Sequence, residues 1–101
     1  MGINVVRNGD NSEVSIVISG RFDFSMNNEF RKILADSSGA NERYLIDMGA
    51  VDDLDSSALG MLLLLREKAG GDSADIKIQK CRPDIVEMLK MANFQTMFDI
   101  S

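Results

Sequence analysis

The chain contains no histidine. That excludes Ser-His and Cys-His nucleophilic pairs and every imidazole metal ligand. It has a single cysteine, Cys81, so no intrachain disulfide forms and a reducing, cytoplasmic location is expected. Cys81 itself reads as a small, partly buried residue near a strand end rather than a redox thiol. Basic charge is in deficit: 11 Lys and Arg against 16 Asp and Glu leave a formal net charge of −5. An electrostatic footprint for nucleic acid or anionic lipid is therefore missing, and an acidic surface better suits a basic protein partner. The apolar stretch from Ala58 to Leu65 is far too short to span a bilayer, so no membrane insertion is expected. The segment Met1 to Arg7 lacks the basic start and apolar stretch of a signal peptide. There is no glycine-rich phosphate loop of the Walker or dinucleotide type, and no cofactor is expected. The acids Asp47, Asp52, Asp53 and Asp55 lack EF-hand spacing and read as a solvated acidic loop rather than a cation site.

What remains is an ordinary globular composition. With 101 residues, 45% hydrophobic and 27% charged, the chain suits one domain over residues 1–101 with a single core. Ile3 to Arg7 is short and β-branched, and Asn8-Gly9-Asp10-Asn11 is a turn cluster. Val14, Ile16 and Ile18 alternate with Ser15, Val17 and Ser19, which predicts a second strand paired with the first as a hairpin. Ser25 is the expected cap of a helix over Met26 to Ser37, with Phe30, Ile33 and Leu34 as its apolar stripe and Ser38 to Asn41 as its stop. Tyr44 to Met48 predicts a central strand, followed by a loop from Gly49 to Asp55. A second helix is expected over Ser57 to Ala69, ended by Gly70-Gly71. Ile76 and Ile78 mark a further strand. The single proline, Pro83, opens a third helix lined by Ile85, Val86, Met88, Leu89 and Ala92. Met97 to Ile100 forms a short last strand. The order β-β-α-β-α-β-α-(β) predicts an α/β fold with a mixed, mostly parallel sheet and helices packed on one face.

The most informative stretch is Asp55-Ser56-Ser57-Ala58-Leu59-Gly60. Two hydroxyls follow an acid and open an apolar run, the pattern of a loop ending at a helix N-terminus. Backbone N–H groups there lack intrahelical partners, and the helix dipole favours an added phosphate. Read alone, the stretch is a helix cap. The run Met61 to Leu65 is apolar around most of the helix girth, which signals burial for most of it. In a one-layer arrangement one side stays accessible, and Met61 and Leu64 are the expected outward members of a docking patch, extended by Met26.

Two motifs at fixed places in this order carry a family resemblance. Ser19-Gly20-Arg21-Phe22-Asp23 ends the second strand. Leu45-Ile46-Asp47-Met48, then Val51, precede Asp55 to Gly60. With these the whole chain resembles the STAS domain family, in particular the bacterial anti-sigma factor antagonists. The resemblance implies a protein-binding switch in signal transduction and transcription regulation, not an enzyme. The unphosphorylated form of such an antagonist binds an anti-sigma factor, often a serine kinase of the histidine-kinase-like ATPase fold, and so frees a sigma factor. The resemblance makes Ser56 the phosphorylated serine, with Ser57 the competing acceptor, and a PP2C-type phosphatase, in some relatives part of a response regulator, removes the phosphate. It sets Asp23 beside that serine, and it adds Asp23, Asp55, Ser57 and Ala58 to Met26, Met61 and Leu64 as partner-binding residues. Ala58 stands where the family usually has glycine; alanine is the better helix former, and its methyl is expected to tune partner fit. A second reading, from a different class, is a stand-alone STAS accessory subunit of a membrane transporter of the phospholipid ABC importer type, without a phosphoswitch.

Overall fold

The computed structural model describes residues 2–7, 13–36 and 43–101. Its sheet has five strands in the order β1 (Gly2–Arg7), β2 (Glu13–Phe22), β3 (Arg43–Leu54), β4 (Asp75–Gln79) and β5 (Asp99–Ile100). β1 lies antiparallel to β2, with Ile3 opposite Ile18 and Val5 opposite Ile16. The remaining neighbours are parallel. The hairpin and the crossover strands are those the alternation predicts; the expected turn at Asn8 to Asn11 lies outside the described residues, as does the helix stop from Ser38 to Asn41.

Period-two alternation decides which face is covered. Val14, Ile16 and Ile18 on β2, Tyr44, Ile46 and Met48 on β3, and Ile76 and Ile78 on β4 are all buried. Their alternates, including Ser15, Val17, Leu45 and Lys77, stay at least partly exposed. All three helices therefore sit on one face. α1 (Asn27–Asp36) contributes Phe30 and Leu34, and α3 (Pro83–Met91) contributes Ile85 and Leu89. α2 (Ser56–Lys68) buries Ala58, Met61, Leu62 and Leu65, the i, i+3, i+4, i+7 stripe of a core-facing helix. Gly70 at φ 118° and Gly71 at φ 62° stop the chain after α2 in a region where a side chain is strained.

Two local expectations are corrected. Gly49 to Asp55 is not a loop: β3 continues to Leu54, still paired with β2 through Ala50–Ser19, Val51–Gly20, Asp53–Arg21 and Leu54–Phe22. The register slips by a residue after Asp47, where the Gly49 amide turns to the Asp47 carboxylate at 2.9 Å. That bulge interrupts the alternation and hides the strand's second half in the sequence. Ser25 does not cap α1 either. Asp23 caps a 3₁₀ turn over Phe24–Met26 that precedes the helix, and Ser25 is the residue whose N–H it accepts.

Candidate partner-binding surface at the start of the second helix

The site is assembled by the C-terminal ends of two parallel strands. Phe22 pairs with Leu54, and the Asp55 amide donates to the Phe22 carbonyl at 3.3 Å. This bond ties the end of β2, and hence Asp23, to the residue that starts α2. Phe22 is further held from above by Phe30 of α1, with ring centroids 6.0 Å apart. The sequence-predicted Asp23, Asp55 and Ser56 thus belong to one rim.

Asp55 has extended backbone angles and its Oδ1 accepts the Ala58 N–H at 3.0 Å, the arrangement of a helix N-cap. Ser56 is the first helical residue and is exposed; Ser57 is half-buried. Among the described residues no acceptor meets the Ser56 or Ser57 amide, so two of the helix's orphan donors point outward. On the neighbouring turn, the Asp23 carboxylate accepts the Ser25 hydroxyl and its N–H, the latter at 3.0 Å. Those bonds, the hydroxyl first, hold the Asp23 carboxyl below its ordinary value of 3.8. The turn they fix presents Phe24 to solvent at 67% exposure.

Two clefts flank α2. One, of about 310 Å³, runs towards α3 between Leu54, Ser56, Leu59, Met88 and Met91. The other, about 220 Å³, opens towards α1 between Phe24, Asn27, Arg31, Ser57 and Leu64. The adjacent serines therefore look onto different clefts. A separate depression on the uncovered sheet face is lined by exposed charges, among them Arg43 and Asp75, which pair at 3.0 Å; it lies across the sheet from Ser56.

Of the predicted docking residues, Leu64 is on the surface at 37% exposure. Met26, Met61 and Ala58 are not outward-facing: each is buried, Met61 at 2% exposure. Met61 falls on the core stripe of α2, and Met26 closes the 3₁₀ turn facing inward. The Ala58 methyl packs in the core, so it contributes to the fold and not to a partner's footprint. The exposed apolar residues that sequence reasoning missed are Phe24, Leu63 and Met91, with Val5 and Val6 on β1. The Asp23-x-Ser25 spacing, a side chain bonding two residues ahead, is the signal that marks the Phe24 turn. The acids are partly neutralised: Asp53 faces Arg21 at 3.6 Å and Asp47 faces Lys80 at 3.5 Å. Among the described residues no group of three acids or thiols is placed to hold a metal ion, and no helix is long and apolar enough to cross a membrane. Cys81 is half-buried just beyond β4, and burial, then the Asp47 charge, pushes its thiol above the ordinary value of 9.0.

Comparison with known proteins agrees with this architecture. The family described as "Mlab, STAS domain" matches residues 5–99. A STAS-domain containing protein of Pseudomonas aeruginosa (strain UCBPP-PA14) is 42% identical over 101 residues, the whole of both chains. Among solved structures, the anti-sigma factor antagonist SpoIIAA in its unphosphorylated form superposes with a TM-score of 0.77 at 15% identity, covering 99% of this chain and 87% of that one. Its phosphorylated form, from Bacillus, gives 0.74 at 13% identity over 99% and 91%. A sulfate transporter family protein from Wolinella succinogenes gives 0.73 at 13% identity over 93% and 80%. The chain belongs to the STAS domain family, and its fold is that of SpoIIAA.

Proposed function

We propose that this chain is an anti-sigma factor antagonist that works by partner switching in the cytoplasm. Unphosphorylated, it binds an anti-sigma factor, or a serine kinase of the histidine-kinase-like ATPase fold, and so frees a sigma factor. Phosphorylation of Ser56 blocks that binding, and a PP2C-type phosphatase restores it. The role asks for no catalysis by this chain. The observation that carries the reading is the position of Ser56: an exposed hydroxyl on the first residue of α2, beside unpartnered amides and at the lip of an apolar cleft. A phosphoryl group there adds about −1.5 to −2 charge at pH 7. The outward amides and the helix dipole accommodate part of it, so the fold need not rearrange. A partner covering the cleft would have to desolvate the phosphate, in a neighbourhood that already holds Asp23, Asp52, Asp53 and Asp55. Release then follows from local blockage. The likeness to SpoIIAA in both phosphorylation forms supports this reading.

A second reading has its own support in the Mlab description of the matching family and in the transporter-family neighbour: an accessory subunit bound constitutively to the ATPase of a membrane transporter. Affinity capture from the native cells separates the two. The switch reading expects Ser56→Ala to recover an anti-sigma factor or its kinase and Ser56→Glu to lose it. Recovery of a transporter ATPase by both variants alike would replace it with the second reading.

A further inference from the structure

The α1–α2 cleft carries a charge unlike the rest of the rim. Arg31 is exposed on its wall, with Nε donating to Asn27 Oδ1 at 3.4 Å, and no carboxylate among the described residues pairs with it. Among the described residues it is the sole cation lining either cleft beside α2. Around it the apolar surface is prominent: Phe24 and Leu64 are exposed and Met61 forms the floor. Gly60 leaves the cleft open, since a Cβ there would meet nothing within 4 Å. Exposed aromatics and arginines are the side chains that most often anchor an interface.

We propose that this cleft receives, from the partner protein, a bulky apolar side chain next to an Asp or Glu. The apolar group lies against Phe24 and Leu64, and the carboxylate pairs with Arg31. The inference rests on the reading of this rim as the phosphorylation-controlled partner surface, and it supplies the sign of that control. Ser57 lines the cleft and Ser56 is its chain neighbour, so the two Cα atoms are about 3.8 Å apart. A phosphate on Ser56 adds its charge to the rim that borders this cleft. From the neighbouring cleft it disfavours the approach of the partner's carboxylate. A basic segment in the same place would be attracted by the phosphate, and phosphorylation would then tighten binding instead of ending it.

The test is selection of a random displayed-peptide library against the purified, unphosphorylated full chain, with Arg31→Glu and Gly60→Gln panned in parallel. Both substituted positions are exposed, and folding is checked by thermal melts. The wild type should enrich peptides with a large apolar residue beside Asp or Glu. Arg31→Glu should enrich Lys or Arg in that place. Gly60→Gln, which fills the opening without adding charge, should bind the wild-type winner about tenfold more weakly. Enrichment of basic neighbours by the wild type, an unchanged motif with Arg31→Glu, or no enrichment at all would overturn the proposal. So would a sedimentation result in which the chain dimerises and Phe24→Ala abolishes the dimer, since a second copy would then own the cleft. Ser56→Glu should weaken the selected peptide about 1.4- to fivefold, the range for one exposed ion pair. Equal binding by Ser56→Glu with the other arms as expected would uphold the cleft and count against the phosphoswitch.

Discussion

Replacing Gly60 by alanine is the sharpest test of how α2 divides its residues between fold and surface. Gly60 is the fifth residue of a thirteen-residue helix, exposed, and an added Cβ meets no atom within 4 Å. No steric cost opposes the substitution. The unfolded chain loses backbone freedom and the helix gains a better former, together about 0.5–1 kcal/mol in favour of the folded state. For a chain of this size 1 kcal/mol moves Tm by about 4–8 °C, so Gly60→Ala should melt about 2–8 °C higher. Urea unfolding should show a later midpoint with unchanged slope, because the surface exposed on unfolding barely changes. A lower Tm would refute the reasoning: it would mean that Gly60 is not in a relaxed helical conformation or that the cleft is closed against α1. A residue that costs stability and touches nothing is expected where function needs room.

Further predictions follow the same surface. Asp55→Ala removes the carboxylate that accepts the Ala58 amide and should cost about 1 kcal/mol by urea denaturation, within the 0.5–2 range of cap losses; an unchanged midpoint would deny the cap. The Asp23 carboxyl should titrate below 3.8 by carboxyl-carbon NMR, and Ser25→Ala, which removes the largest cause, should bring it back up towards that value. Because the folded value is the lower one, the stabilisation from this turn is present above the unfolded value and is lost as pH falls through the folded one. The Cys81 thiol should alkylate with a pH midpoint above 9.0, and Asp47→Asn should lower that midpoint in part; a midpoint below 9.0 would contradict its burial.

Much of the fold was legible because the chain states its periods cleanly. Val14, Ile16 and Ile18 alternate without interruption, and the hairpin, the parallel crossovers and the single helical layer follow from that and from the element order. Three places were not legible, each for a physical reason. The second half of β3 pairs through a bulge at Met48–Gly49, and its exposed Asp52 and Asp53 mimic a loop. The helix expected from Met26 begins with a 3₁₀ turn, which moves the capping role two residues back to Asp23 and turns Phe24 outward and Met26 inward. Met61 to Leu65 is apolar at five consecutive positions, and such a run has no readable period. Only packing against the sheet decides that Met61, Leu62 and Leu65 go in while Leu63 and Leu64 stay out. The polar part of the site was plainer, since Asp55, Ser56 and Ser57 mark a helix start whatever they pack against.

Intact-mass analysis of the chain isolated from its own cells, beside Ser56→Ala and Ser57→Ala, tests the central claim most directly. A species heavier by roughly 80 Da, one phosphoryl group, should be present in the wild type and in Ser57→Ala and missing from Ser56→Ala. A modification that survives Ser56→Ala, or one that never forms under any growth condition, would contradict the account.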